Sequence, residues 1–392
     1  MSMADSDIAA RRKTSLQVLP NLISGGVERG TIDVAAALVQ AGWRALVVSA
    51  GGPMVRELER AGAEHIILPL NTKNPLAMRR NVETLTALIR DQGVNIVHGR
   101  SRAPAWSARE AAKIANVPFI TTFHGVYGLG PFGLKKLYNR VMATGEIVIA
   151  VSEFIRDHLI AEYHVPAERI RVIHRGVDVD LFDANRVSAT RLIQVTAKWR
   201  LQESSQVIML PGRLTSWKGH DVLIDAMAEL KRRNGGQTAA RCIMVGQDHG
   251  RPNHRNHIMS YAAARGADVH IIDDCNDLPA AYMATDVVVS ASTRPEAFGR
   301  VVAEAQAMGR PVVAPSHGGA KEIIIPGVTG WLFTPSDPVS LADALERALR
   351  LNQDDRIRMA DAAITRAREL FSKAEMCAHT LKVYDEVLAK HV

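Results

Sequence analysis

Short β-branched runs alternate with longer amphipathic segments along nearly the whole chain, and the alternation begins twice. In the first half the runs are Leu16–Leu19, Ala45–Ser49, His65–Leu70, Ile96–His98, Phe119–Thr122, Ile147–Val151 and Arg171–Ile173. Helical patterns lie between them, such as Val27–Ala41, Pro75–Asp91 and Ala103–Ala115. The rhythm pauses over the polar stretch Asp183–Glu203, which suits a linker plus a helix. It restarts with Val207–Leu210, Ile243–Val245, Val269–Ile272, Val287–Ser290, Val312–Ala314 and Gly330–Phe333. Apolar strands separated by helices signal parallel sheets covered on both faces. Thirteen such runs overfill one ordinary open sheet, so the expected fold is α/β with two Rossmann-like domains. We place a tail at 1–13, the first domain at 14–185 and the second at 186–372, with a last helix over 373–392 packing back on the first domain. Two such domains facing each other leave an interdomain cleft at the carboxyl ends of both sheets, where ligands bind in these folds.

Composition narrows the function. Three cysteines, Cys242, Cys275 and Cys377, are too few and too scattered for a disulfide scaffold or a Cys-based zinc site. Apolar stretches are strand-length, far from the ~20 residues of a membrane helix. Met1–Lys13 carries charges with no apolar segment after them, so no signal peptide is expected and the cytoplasm is the expected compartment. Basic residues outnumber acidic ones 48 to 41, and the surplus is concentrated. Between 100 and 140 stand Arg100, Arg102, Arg109, Lys113, Lys135, Lys136 and Arg140 against the single acid Glu110. No reading module or aromatic–basic repeat accompanies that charge, which argues against nucleic acid. An acidic acceptor or an anionic membrane face remains. Gly25–Gly30 lacks the G-x-G-x-x-G spacing and no Walker A run exists, which argues against a dehydrogenase or an NTPase.

Two segments carry the chemistry. In Arg294–Ala314 a loop and helix follow one strand and precede the next, with the helix expected from Phe298–Gly299 to a Gly309 cap. A helix N-terminus beside a glycine presents free N–H groups to a phosphate. Glu304, within the helix, can accept hydrogen bonds from ribose hydroxyls. Glu296 and Glu304 as a glycosidase pair is a poor fit, because eight helical positions span about 12 Å where about 5–9.5 Å is needed. In Pro211–His220, Arg213 and Lys218 project from a strand-to-helix turn. A guanidinium and an ammonium suit a diphosphate, and suit better one gaining charge as it leaves.

Gly212-Arg-Leu with Lys218-Gly-His220, Pro295-Glu-Ala-Phe-Gly299 and Glu304-Ala305 resemble the GT-B-fold glycosyltransferases of family 4. Gly318-Gly319 with Glu322, Gly327-Val-Thr-Gly330, Gly25-Gly26, His124-Gly125 and Gly176-Val-Asp178 fit the same resemblance. It implies a retaining, metal-independent transferase of a sugar from a nucleotide-sugar, which is a substrate, so no cofactor is expected. It implies that Arg213 and Lys218 bind and stabilise the departing diphosphate, that Glu304 holds the ribose, and that Glu296 contacts hydroxyls of the transferred sugar. Phe298, Gly299, Arg300 and Val301 would give backbone contacts to phosphate and sugar. Gly25 and Gly26 would approach the diphosphate, and His124 the sugar near its reacting carbon. Gly246 and Leu278 would flank the base. Arg175 stands where the family often has Asn.

The expected partners are a UDP-, GDP- or ADP-sugar and a glycan or lipid-linked acceptor, as in lipopolysaccharide or other surface-glycan synthesis. An anionic membrane surface met through residues 100–140 would make the protein peripheral. The alternatives are a transferase to a soluble acceptor or storage glycan, and a non-catalytic nucleotide-sugar-binding protein. Asp178-Val-Asp180 and the histidines His249, His254 and His257 are read as non-metal features, the latter on an irregular surface loop. Leu134–Met142 is read as one amphipathic helix.

Overall fold

The computed structural model describes residues 12–391 apart from 129, 131–132, 202–205, 238–239, 249–251 and 274. The described residues form two compact units, one of residues up to Gly176 together with those from Lys373, the other Val177–Ser372. Each unit is built on one wholly parallel sheet.

In the first unit the strands are β1 (Thr14–Val18), β2 (Arg44–Ser49), β3 (Glu64–Ile67), β4 (Ile96–Gly99), β5 (Phe119–Phe123), β6 (Val148–Ala150) and β7 (Ile170–Val172). Their spatial order is β3-β2-β1-β4-β5-β6-β7. β1 pairs in parallel with both β2 and β4, so the chain direction across the sheet reverses beside β1. β1 and β4 are buried throughout, the polar Ser15, Gln17 and His98 included. The helix Gly26–Gln40 follows β1 and buries Ile32, Val34, Ala35 and Leu38 against the sheet. The helix Lys373–Leu388 closes the same core: Tyr384 is fully buried beside Trp43 and accepts or donates a 2.7 Å hydrogen bond with His98.

In the second unit the strands are β8 (Val207–Pro211), β9 (Arg241–Val245), β10 (Val269–Ile272), β11 (Val287–Val289), β12 (Val312–Pro315) and β13 (Trp331–Phe333). The order β10-β9-β8-β11-β12-β13 repeats that of the first six strands of the other sheet. Both sheets therefore have the doubly wound arrangement whose ligand crevice opens at the carboxyl ends of the strands flanking the reversal.

Two sequence expectations need correction. Leu134–Met142 is not one helix: an α-helical turn over Leu134–Asn139 passes into a tighter 3-10 turn over Arg140–Ala143. His254 and His257 lie on a helix, Pro252–Arg265, and not on a loop. Proline favours the first turn of a helix, where its missing N–H has no partner to lose. His249 lies outside the described residues.

Candidate functional site

The second unit holds a cavity of about 500 Å³ at the carboxyl ends of its strands. It is lined by Gly212 and Arg213 after β8, Gly246 and Gln247 after β9, Asp273 after β10, and Leu278 from the short helix Leu278–Met283. Arg300, Val301 and Glu304 line the other side from the helix Arg300–Ala307. That helix is capped by Gly299 at φ 103, which has no side chain to bond its first N–H groups. Its start thus leaves donors for a ligand.

Glu304 is 4% exposed and sits between two donors. Arg300 reaches it at 2.8 Å and the Tyr282 hydroxyl at 3.0 Å. Burial pushes the Glu304 carboxyl above its ordinary range, against the pull of Arg300 and Tyr282. Tyr282 is fully buried against Phe182, so its hydroxyl is fixed. Gly246 is required by close approach: a Cβ there would lie 1.8 Å from the Gly212 carbonyl oxygen.

Lys218 and Glu296 are brought together, but as partners of each other. Lys218 Nζ lies 2.7 Å from Glu296 Oε1, with the two side chains 13% and 21% exposed. Ser290 and Ser292 donate to the same carboxylate oxygen. Burial raises the Glu296 carboxyl, yet Lys218 and the serine hydroxyls outweigh it and hold the group below its ordinary range. Lys218 also lies 4.7 Å from the Trp217 ring centroid. Phe298 points its ring into the core against Phe371, so only its backbone is left for a ligand.

The first unit gathers Gly25, Gly26 and His124 with Arg175. Gly25, at φ 137, caps the helix Gly26–Gln40. Arg175 donates to the Gly26 carbonyl and, at 3.1 Å, meets His124 Nδ1. A guanidinium only donates, so Nδ1 is the acceptor and the imidazole proton sits on Nε2. Burial, with Arg175 and Arg100 nearby, holds His124 well below the ordinary histidine range, so the ring is neutral.

The remaining motifs have structural uses. Asp178 accepts from the backbone of Asp180 and Leu181, and Asp180 pairs with Arg186. His257 pairs with Asp221 at 2.9 Å, and His220 is pushed down to about 4 by burial. Among the described residues no group of three His, Cys, Asp or Glu could hold a metal ion. Gln247, Asp273, Tyr282 and Arg175 are site residues that the motifs did not assign. Only Arg175 left a trace in the sequence, as the departure before Gly176-Val-Asp178.

Residues 24–181 match the family described as Glycosyltransferase Family 4, and residues 194–367 match Glycosyl transferases group 1. The chain belongs to the family 4 glycosyltransferases. A glycosyltransferase from Rickettsia africae ESF-5 has a similar structure over 96% of this chain and 99% of its own, with TM-score 0.88 and 38% identity. The Anabaena HepE protein in complex with UDP and glucose covers 95% of this glycosyltransferase and 99% of its own chain, with TM-score 0.79 and 24% identity. That likeness fixes the GT-B fold. The D-inositol 3-phosphate glycosyltransferase of Xylanimonas cellulosilytica is 31% identical over 290 residues, 70% of this chain and 67% of the relative. Further namesakes are matched over 56% and 53% of their length, so this glycosyltransferase spans little more than half of them.

Proposed function

We propose that this glycosyltransferase moves a sugar from a nucleotide-sugar to an acceptor hydroxyl, with retention of configuration and without a metal ion. The observation that carries the reading is the cavity of about 500 Å³ in the second unit, lined by both Arg213 and Glu304. A cation and an acid lining one cavity match a nucleoside diphosphate, whose phosphates need positive charge and whose ribose hydroxyls need an acceptor.

In this reading the base lies beside Gly246 and Leu278, and Glu304 accepts from the ribose. Arg213, Lys218 and backbone groups from Phe298 to Val301 hold the diphosphate. Glu296, kept ionised by Lys218, accepts from hydroxyls of the transferred sugar. Gly25 and Gly26 approach the diphosphate, and His124 offers Nε2–H near the reacting carbon. The acceptor oxygen bonds to the anomeric carbon as the bond to the diphosphate breaks. The acceptor proton passes to a diphosphate oxygen. Stabilising the departing charge is then the main contribution of the protein.

UDP is the first nucleotide to test, since the Anabaena protein of this fold holds it. Calorimetric titration with UDP-, GDP- and ADP-sugars should show one that binds. Glu304→Gln should weaken that binding about tenfold or more, the worth of hydrogen bonds to a charged group. Binding unchanged in Glu304→Gln would sink the assignment.

The relatives' name supports a soluble, phosphorylated polyol as acceptor over a lipid-linked glycan. So does the use made of the basic stretch. Arg102 lies 4.2 Å from the Tyr127 ring centroid and bonds Asn139, Lys136 pairs with Glu162, and Arg109 faces Glu110. Among the described residues no helix is long and apolar enough to cross a membrane. Co-sedimentation with anionic vesicles at low salt, abolished by charge reversal at Lys135 and Lys136, would restore the membrane reading.

A further inference from the structure

The first unit contains a cluster of cations that the donor does not require. Arg100 follows β4 and is only 4% exposed. Its Nε is buried without a hydrogen-bond partner. Arg175 comes from the loop after β7, yet its guanidinium reaches the same place. Both lie against the first two turns of the helix Gly26–Gln40. A Cβ on Gly30 would stand 3.2 Å from Arg100 Nη2 and 3.3 Å from Arg175 Nη2. A Cβ on Gly26 would stand 3.1 Å from Arg175 Nη2. Two glycines one turn apart therefore clear a bay on this helix, and two guanidiniums fill it.

Two guanidiniums against one turn of a helix, Arg100 buried and Arg175 part-buried, are expensive unless an anion compensates them. The acids near them are Asp33, whose charge acts on Arg100, and Glu28, whose carboxylate folds back against Gly25. The helix beneath is fifteen residues long, and its cap residue supplies no side-chain bond to its N–H groups. The same cluster holds a second orphan, the buried Nε2 of His124, on the ring that Arg175 fixes. A buried guanidinium nitrogen without a partner and a second guanidinium beside it form a receptor for an oxyanion. The position is the crevice of the doubly wound sheet, where β1 and β4 lie side by side.

We propose that Arg100 and Arg175 bind the phosphate of a phosphorylated acceptor, with His124 at the edge of the bound group. The assignment rests on the acceptor reading above and names the residues that enforce it. Donor phosphates are matched by Arg213 and Lys218 of the other unit, which leaves this pair for a second anion. Replacing Arg175 by Asn would keep a hydrogen-bonding side chain and remove the charge, widening the acceptor range to unphosphorylated polyols.

Calorimetric titration of the full chain with inositol 3-phosphate, inorganic phosphate, inositol and UDP tests it. The wild type should bind inositol 3-phosphate and phosphate and not inositol. Arg175→Asn and Arg100→Gln should each lose about tenfold or more of the phosphate-dependent affinity, the scale of a charge-assisted pair. Their UDP affinity should stay within about twofold, well below the scale of a lost hydrogen bond. If Arg100→Gln fails to fold, Arg175→Asn, at a part-buried side chain, carries the test. Phosphate affinity unchanged in Arg175→Asn overturns the proposal. So does a parallel fall in UDP affinity, which would give the pair to the donor. A wild type that binds neither phosphate compound overturns it too. Binding of inositol 3-phosphate without UDP upholds it and sinks the donor reading alone.

Discussion

Arg213 and Lys218 are neighbours in sequence and differ in circumstance. Arg213 is exposed on the cavity wall, while Lys218 is tied to Glu296. Arg213→Ala should therefore leave folding nearly untouched, within about 0.5 kcal/mol. Its effect should fall on kcat, about a hundredfold or more, because a charge-stabilising donor acts most when the charge develops. Steady-state kinetics with a donor titration separates the two, and a loss confined to donor affinity would refute the role. Glu296 makes a pH-dependent contribution. Its folded-state carboxyl lies below the 4.5 of a free glutamate, so the stabilisation is present above that value and lost as pH falls through the folded value. The stability advantage of the wild type over Glu296→Gln should be present at neutral pH and shrink in the acid range. Urea titrations at both pH values measure it, and an advantage independent of pH would contradict the ion pair.

At the scale of elements, the loops after the strands do the work, and their glycines set how closely they approach. Gly246→Ala puts a methyl into the Gly212 carbonyl, forcing apart the turns after β8 and β9. Overpacking of this kind costs about 1–3 kcal/mol. A lower urea midpoint together with weakened nucleotide binding is the expected result; an unchanged midpoint would show that the turns yield freely. Most strands were legible because parallel sheets bury both faces and favour apolar runs, whereas β1 carries Ser15 and Gln17 within it. The edges were less so. Arg241 begins β9 because its guanidinium is paired with Asp268, a contact the apolar pattern does not contain. The helix over Pro252–Arg265 has little amphipathic character, and His254, His257 and Tyr261 stack along it one turn apart, which no apolar periodicity reports. Glu304 was legible from its motif, but its partner Tyr282 was not, since twenty-two positions separate them. The meeting of Arg175 with His124 is likewise a product of strand order alone.

At the scale of the whole molecule, the first unit is made of two stretches of sequence and the second of one. The helix Lys373–Leu388 supplies Tyr384 to the hydrogen-bonded centre of the first sheet, and Arg171 and Lys13 pair with its Glu386 and Asp385. Removing residues 373–392 should strip protection from amides of β1 and β4 while those of β8 and β11 stay protected. Hydrogen exchange on the truncated chain checks this, and β1 protection at the wild-type level would show the helix to be dispensable.

That arrangement also sets an order of events during synthesis. Domains ordinarily fold as they emerge, the earlier one first. Here the ribosome delivers the first unit's strands early, but the helix that completes their core comes only after all of Val177–Ser372. The unit that begins first finishes last, and its half-covered sheet waits through the making of its neighbour.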